Sequence, residues 1–83
     1  MSNVKDEIKE LIAEDNLKDA VKKMYNLNVK NSHDNNQIII LNARFNRIQK
    51  ELASYTITEM NYKVEFHRIK RAASYLLDDL ELD

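Results

Sequence analysis

The sequence contains no glycine, proline, cysteine or tryptophan. Without cysteine there are no disulfides, thiolate nucleophiles or thiolate metal sites, and without glycine there is no glycine-rich phosphate loop. The two residues that most strongly interrupt helices are also missing. Much of the usual catalytic and cofactor chemistry is therefore excluded.

Long apolar runs and recognisable site motifs are absent as well. The longest aliphatic run covers residues 38–41, whereas a membrane span needs roughly 20 apolar residues. His33 and His67 have no partner at metal-ligand spacing, and no serine lies in a nucleophile-elbow motif. The start of the chain does not have the basic and apolar pattern of a signal peptide. We therefore predict a cytoplasmic, non-enzymatic protein with no metal, no cofactor and no membrane partner.

What the sequence does contain is typical of a small folded domain. Of its 83 residues, 43% are hydrophobic and 33% are charged, with both signs present, which allows one small core. Ten asparagines, five of them between residues 26 and 36, can take the place of glycine at turns and helix ends. We predict a single domain over residues 1–83.

Apolar residues recur every three or four positions, which indicates amphipathic helices throughout. The predicted helices cover about 3–14, 17–29, 34–54 and 58–81. Asn16 and Thr58 are placed to cap the second and fourth helices, and Asp34 with Gln37 has the capping-box spacing at the start of the third. The acidic end of the chain opposes the dipole of the last helix. We expect that helix to fray there, or the chain to be a module of a larger protein.

The third and fourth helices each carry a narrow apolar stripe. Only residues 55–57 separate them, and so short a link makes them antiparallel neighbours. We expect the two short helices to pack across this hairpin, giving an all-α fold, a small four-helix bundle. The stripes are Ile38, Leu41, Phe45, Ile48, Leu52 and Tyr55 on the third helix, and Tyr62, Phe66, Ile69, Ala73, Leu76 and Leu80 on the fourth.

The formal net charge of −1 hides a strong separation of charge along the chain. Residues 1–20 carry −3, residues 21–50 carry +5 and residues 51–83 carry −3. Helical spacing groups the charged residues into three surfaces, which we call the acidic ridge (Glu7, Glu10, Glu14), the helix 3 strip (Ile40, Arg44, Arg47, Glu51) and the helix 4 strip (Val64, Arg68, Arg71, Tyr75).

Arginine and tyrosine are enriched at the centres of protein interfaces, and arginine pairs bidentately with carboxylates. The three surfaces are therefore candidate interaction sites. The alternative is that the two strips are ordinary surface or the sides on which the first two helices pack, with Ile40 and Val64 in the core.

Four segments of the chain carry a family resemblance. They are residues 8–13 (IKELIA), 36–48 (NQIIILNARFNRI), 55–59 (YTITE) and 65–77 (EFHRIKRAASYLL), and together they resemble the effector-associated domain 11 family. The family pattern has a small pair before the arginine and aromatic of the third helix, matched by Asn42 and Ala43 before Arg44 and Phe45. The family's glycine-containing turn has no glycine here, in residues 53–56, which leaves the geometry of that turn open.

The resemblance implies a death-domain-like adaptor of bacterial antiviral and conflict systems. Such adaptors are joined to, or encoded beside, effectors of the TIR, caspase-like protease or NTPase type, and they recruit these effectors by like-with-like association. The implied partners are another copy of the chain or the matching domain of an effector.

Three functional hypotheses follow. In the first, the acidic ridge of one copy contacts an arginine strip of the next, a heterologous contact that propagates into rings or filaments. In the second, Arg68 and Arg71 bind nucleic acid in an antitoxin-like regulator, which the acidic segments and the lack of an aromatic platform disfavour. In the third, the chain is an accessory structural subunit that docks through residues 38–40.

Overall fold

A computed structural model describes residues 3–27 and 29–80. These residues form four helices: α1 (Val4–Ala13), α2 (Leu17–Tyr25), α3 (Ser32–Ala53) and α4 (Glu59–Asp79). The predicted fold class, a small all-helical bundle with two long helices packed on each other, is confirmed.

Side-chain caps define where three of the helices begin. Asn3 accepts a hydrogen bond from the Asp6 amide at 2.9 Å, and Thr58, as predicted, accepts one from the Asn61 amide at 3.1 Å. The predicted cap at Asn16 is wrong. Its backbone is not extended (φ −88°, ψ 62°), and its side-chain amide instead donates to the Asp19 carboxylate at 3.0 Å.

The third helix starts two residues before the predicted position. Asn31 has extended backbone and accepts a hydrogen bond from the His33 amide at 2.8 Å, so it is the N-cap. The predicted capping-box residues Asp34 and Gln37 therefore lie within the first turns of α3. Asp34 still favours this end, because a carboxylate stabilises the positive end of the helix dipole.

Two helices end before their predicted limits. α2 ends at Tyr25 rather than near residue 29, and the Asn26 amide closes it by bonding to the Lys22 carbonyl at 3.3 Å. α4 ends at Asp79, and the predicted last helical residue, 81, lies outside the described residues. Leu80 leaves the helix with extended backbone and a buried side chain.

Two helices end in the same left-handed turn without using glycine. Asp15 follows α1 with φ 61°, and Tyr55 follows α3 with φ 58°. In both turns the next amide bonds back across the helix end, from Asn16 to Leu11 at 2.8 Å and from Thr56 to Glu51 at 2.9 Å. This is the Schellman arrangement that usually has glycine at the left-handed position. The geometry of the turn after α3, which the absence of glycine had left open, is therefore a Schellman turn with Tyr55 at the left-handed position.

The helices pack in a ring, each touching the next in sequence, and α4 closes the ring on α1. α2 also touches α4 across the middle. Each helix contributes a stripe of buried apolar residues to one shared core. The buried set is Ile8 and Ile12 from α1; Leu17, Ala20, Val21 and Met24 from α2; Ile38, Leu41, Phe45 and Ile48 from α3; Ile69, Ala73 and Leu77 from α4; and Leu80 beyond it.

The predicted stripes are correct over only part of the hairpin. Leu52 and Tyr55 are 37% and 94% exposed, and Leu77, absent from the predicted stripe, is fully buried while Leu76 is half-buried. The reason is length, because α1 and α2 are about 15 Å long and α3 about 33 Å. The short helices cover one half of the hairpin, and their position beside α4 turns the buried stripe towards Leu77.

None of the helices in the described part of the chain is both long and apolar enough to cross a lipid bilayer.

Candidate interaction surface

The helix 3 strip lies on the flank of α3 that points away from α2. Asn42 and Asn46 line the groove between α3 and α2, and they lie roughly 150° around the helix from the strip. Because α2 and α4 are the neighbours of α3, the flank away from α2 is the one beside α4. The partial burial of Arg44 and Glu51 agrees with that placement.

The helix 4 strip lies on the outer side of α4, opposite the buried residues of that helix. Lys70 marks the side facing α1, because its ammonium binds the Asp15 carboxylate at 2.5 Å. Arg68 lies roughly 160° around the helix from Lys70, whereas Arg71 and Tyr75 line one concavity together with Lys70.

The two strips therefore both lie on the outer side of the α3/α4 hairpin. We call them together the arginine face. Its members are Ile40, Arg44, Arg47, Glu51, Val64, Arg68, Arg71 and Tyr75.

Only part of the positive charge on the arginine face is neutralised locally. Arg47 pairs with Glu51 at 3.7 Å, and Arg68 pairs with Glu65 at 2.9 Å. These pairs are largely exposed, and exposed pairs contribute little to stability. Among the residues that the structure describes, Arg44 and Arg71 form no ion pair, so both guanidinium groups are available to an outside carboxylate.

The apolar members of the arginine face are exposed rather than packed. Ile40 is 51% and Tyr75 is 68% exposed, and Val64 is exposed as well. The alternative that placed Ile40 and Val64 in the core is therefore wrong, because α1 and α2 cover the other side of the hairpin. The predicted docking patch at residues 38–40 is also wrong as a continuous surface. Ile38 is buried in the core, and only Ile39 and Ile40 are exposed.

The acidic ridge lies on the side of the bundle opposite the arginine face. Lys9 marks the side of α1 that faces α4, because it pairs with Asp78 at 3.0 Å. Glu7 and Glu14 lie roughly 140 to 160° around the helix from Lys9, which places them towards α2. The 4.0 Å approach of Glu7 to Lys23 of α2 agrees with this. Glu10 and Glu14 form no ion pair within the described residues.

The ring order gives these two surfaces a defined relation. The edge between α1 and α2 is opposite the edge between α3 and α4, so the acidic ridge and the arginine face lie on opposite sides of the bundle. When a molecule with complementary charge on opposite sides binds a second copy, each copy keeps one of its two surfaces free. A third copy can then bind.

Two ion pairs connect α1 and the turn after it to α4. The Lys70 ammonium, hydrogen-bonded to Asp15, lowers the pKa of that carboxyl below its ordinary value. The Asp78 carboxylate raises the pKa of Lys9 above its ordinary value in the same way. Lys5 adds a hydrogen bond to the Leu80 carbonyl at 2.5 Å.

A further exposed surface lies at the free end of the hairpin and was missed by sequence reasoning. Leu52, Tyr55, Ile57 and Tyr62 line a concavity there, together with Glu59 and Lys63. Leu52, Tyr55 and Tyr62 had been placed in the buried stripes, because the apolar period continues through them. The shortness of the first two helices was the one signal that this end would stay uncovered.

Within residues 3–27 and 29–80, no cluster of three or more histidine, cysteine, aspartate or glutamate side chains could hold a metal ion. The exposed surfaces carry guanidinium and carboxylate groups beside exposed apolar side chains.

These features define a class of protein, a small all-helical bundle with charged, exposed surfaces. Within that class, the chain belongs to the effector-associated domain 11 family, whose sequence model matches residues 3–81. The resemblance seen in the sequence is thereby confirmed. Membership makes the chain an adaptor-like, effector-associated domain. Neither a curated protein nor a solved structure gave a significant match.

Proposed function

We propose that this protein is a non-enzymatic adaptor that clusters effectors in the cytoplasm by binding copies of itself. The acidic ridge of one copy binds the arginine face of the next, and Glu10 and Glu14 reach Arg44 and Arg71. The observation that carries the proposal is the placement of the two oppositely charged surfaces on opposite sides of the bundle. A contact of that kind does not close on itself after two copies, so it extends into a ring or a filament.

The partners follow from the same contact. Any domain that presents either surface can join the assembly, whether it is a second copy or the matching domain of an effector. Family membership supports an effector as the molecule to be clustered. We propose a bacterial antiviral or conflict system as the setting, with TIR, caspase-like protease or NTPase modules as the effectors brought together.

Charge reversal of Arg44 and Arg47 tests the proposed contact. The variant Arg44→Glu/Arg47→Glu should sediment as a species no larger than a dimer at low salt, where the unaltered chain forms larger assemblies. Its helical circular dichroism should not change, because both side chains are outside the core. Sedimentation velocity at about 50 mM and about 500 mM NaCl measures the effect, since screening at the higher salt weakens exposed charge pairs.

Lys18→Glu/Lys22→Glu is the matched control. It makes the same change in net charge, but both residues line the groove between α2 and α3 and belong to neither surface. If the control variant still forms large assemblies and the arginine variant does not, the result supports the contact. Equal sedimentation of the arginine variant and the unaltered chain removes the arginine face from the account.

A nucleic-acid role is the second candidate, because one face of the molecule carries four arginines. Glu51 and Glu65 neutralise two of them, which favours a protein partner over a phosphate backbone. A duplex-binding titration at about 50 mM NaCl separates the two functions. Binding that falls steeply with salt indicates nucleic acid, and we expect no binding.

A further inference from the structure

We propose that the free end of the α3/α4 hairpin is a second self-association surface, which binds the same end of another copy in a two-fold dimer. We call this surface the hairpin tip, and it consists of Leu52, Tyr55, Ile57 and Tyr62. The proposal goes beyond the adaptor contact because it uses neither the acidic ridge nor the arginine face.

The tip is the part of the hairpin that α1 and α2 do not cover. The buried residues of α3 stop at Ile48, and those of α4 begin at Ile69. No residue from 49 to 68, all of them described, is buried. The apolar stripes of α3 and α4 nevertheless continue into residues 49–68, at Leu52 and Tyr62. These two residues lie on the same side of the hairpin as the buried residues that α1 and α2 cover.

Polar contacts give the tip a defined shape rather than a frayed end. The Gln49 side-chain amide donates to the Tyr62 hydroxyl at 2.6 Å and ties α3 to α4 next to the turn. The Thr56 hydroxyl donates to the Glu51 carbonyl at 3.2 Å and stands 3.1 Å from the Ser54 hydroxyl. The concavity between Leu52 and Tyr62 is therefore held open by fixed neighbours.

Tyr55 is the most informative residue of the tip. It has φ 58°, a conformation that is unfavourable for a residue other than glycine, and it is 94% exposed. The monomer gains no packing from the ring in return. At the equivalent position after α1 the chain has Asp15, a residue type that tolerates this conformation better. Strain at an exposed aromatic points to a contact that the monomer does not make.

The charges of the tip indicate a second copy as the occupant. Between residues 50 and 63 the charged residues are two lysines and two glutamates: Lys50, Glu51, Glu59 and Lys63. A strongly charged partner gains little from so balanced a surface, whereas an identical copy can pair lysine with glutamate. The result is a closed, isologous contact of two hairpins.

Substitutions at Tyr55 test the proposal, because we expect Tyr55→Gly to raise the stability of the monomer and to weaken the dimer. Tyr55→Gly removes the ring and relieves the strained backbone. We expect its melting temperature, measured at a concentration where the chain is monomeric, to rise by about 2–8 °C, because the conformational entropy that glycine loses on folding offsets part of the relieved strain. We expect its dimer dissociation constant to rise at least tenfold. Tyr55→Phe keeps the ring and should dimerise within about twofold of the unaltered chain.

Sedimentation equilibrium at about 500 mM NaCl isolates the tip, because charge contacts between copies are screened there. The unaltered chain and the Arg44→Glu/Arg47→Glu variant should both dimerise, while Tyr55→Gly and Leu52→Gln should not. A monomeric unaltered chain at about 200 µM overturns the tip contact, as does undiminished dimerisation of Tyr55→Gly. Failure of the adaptor contact gives a different result. In that case the Arg44→Glu/Arg47→Glu variant still forms large assemblies at low salt.

Discussion

At the scale of single residues, Asp15 links the fold to the proposed surface. Its left-handed backbone ends α1, and its carboxylate binds Lys70 of α4 at 2.5 Å. Because the Lys70 hydrogen bond lowers the pKa of Asp15, the charged carboxylate is favoured in the folded state. The pair therefore stabilises the fold above the ordinary pKa of the carboxyl, 3.8, and this stabilisation is lost as the pH falls through the lower folded-state pKa.

Asp15→Asn tests this pair while preserving the backbone, because asparagine also tolerates the left-handed conformation. We expect the variant to unfold at a lower urea concentration than the unaltered chain at pH 7, and the difference to disappear near pH 2. Glu10→Gln, which removes a charge from α1 at a residue that forms no ion pair within the described residues, should change little at either pH. A difference for Asp15→Asn that is the same at both pH values would contradict this role of the ion pair.

At the scale of helices, the sequence predicted what depends on local spacing. The three- and four-residue period gave all four helices, and Thr58 capped α4 as its side-chain chemistry indicated. Errors arose where a neighbouring helix decides the outcome. A period shows that one side of a helix is apolar, but not how far along that side a partner extends, so Leu52 and Tyr55 were wrongly placed in the core. The choice between adjacent leucines at 76 and 77 failed for the same reason.

The leucine pair gives a matched test of helix packing. Leu77 is fully buried among the four helices and Leu76 is half-buried at the edge of the core. Leu77→Ala should lower the free energy of unfolding by about 2–5 kcal/mol, the usual range for a buried leucine, and Leu76→Ala by about half as much or less. Urea unfolding followed by circular dichroism measures both. Equal losses, or a larger loss at Leu76, would show that the buried stripe of α4 has been wrongly assigned.

At the scale of the whole molecule, the proposed function depends on where the acidic ridge and the arginine face lie relative to each other. Residue type and spacing were enough to select Glu7, Glu10 and Glu14, and to select the arginines of α3 and α4. They did not show that the two arginine strips lie on one side of the bundle, because that depends on how α3 and α4 are rotated about their axes. Nor did they show that this face and the acidic ridge lie on opposite sides, because that depends on the order of helices around the ring. The hairpin tip became apparent only from the difference in helix length.

The central claim, that the acidic ridge of one copy binds the arginine face of the next, is tested most directly by mixing two charge-reversed variants. Arg44→Glu/Arg47→Glu has two acidic surfaces, and Glu7→Lys/Glu10→Lys/Glu14→Lys has two basic ones. Neither variant should form large assemblies alone. In an equimolar mixture each surface of one variant meets its complement on the other, so alternating assemblies should appear in sedimentation velocity at about 50 mM NaCl and disperse at about 500 mM. If the mixture sediments as the sum of its separate components, the two surfaces do not bind each other and the adaptor contact is wrong.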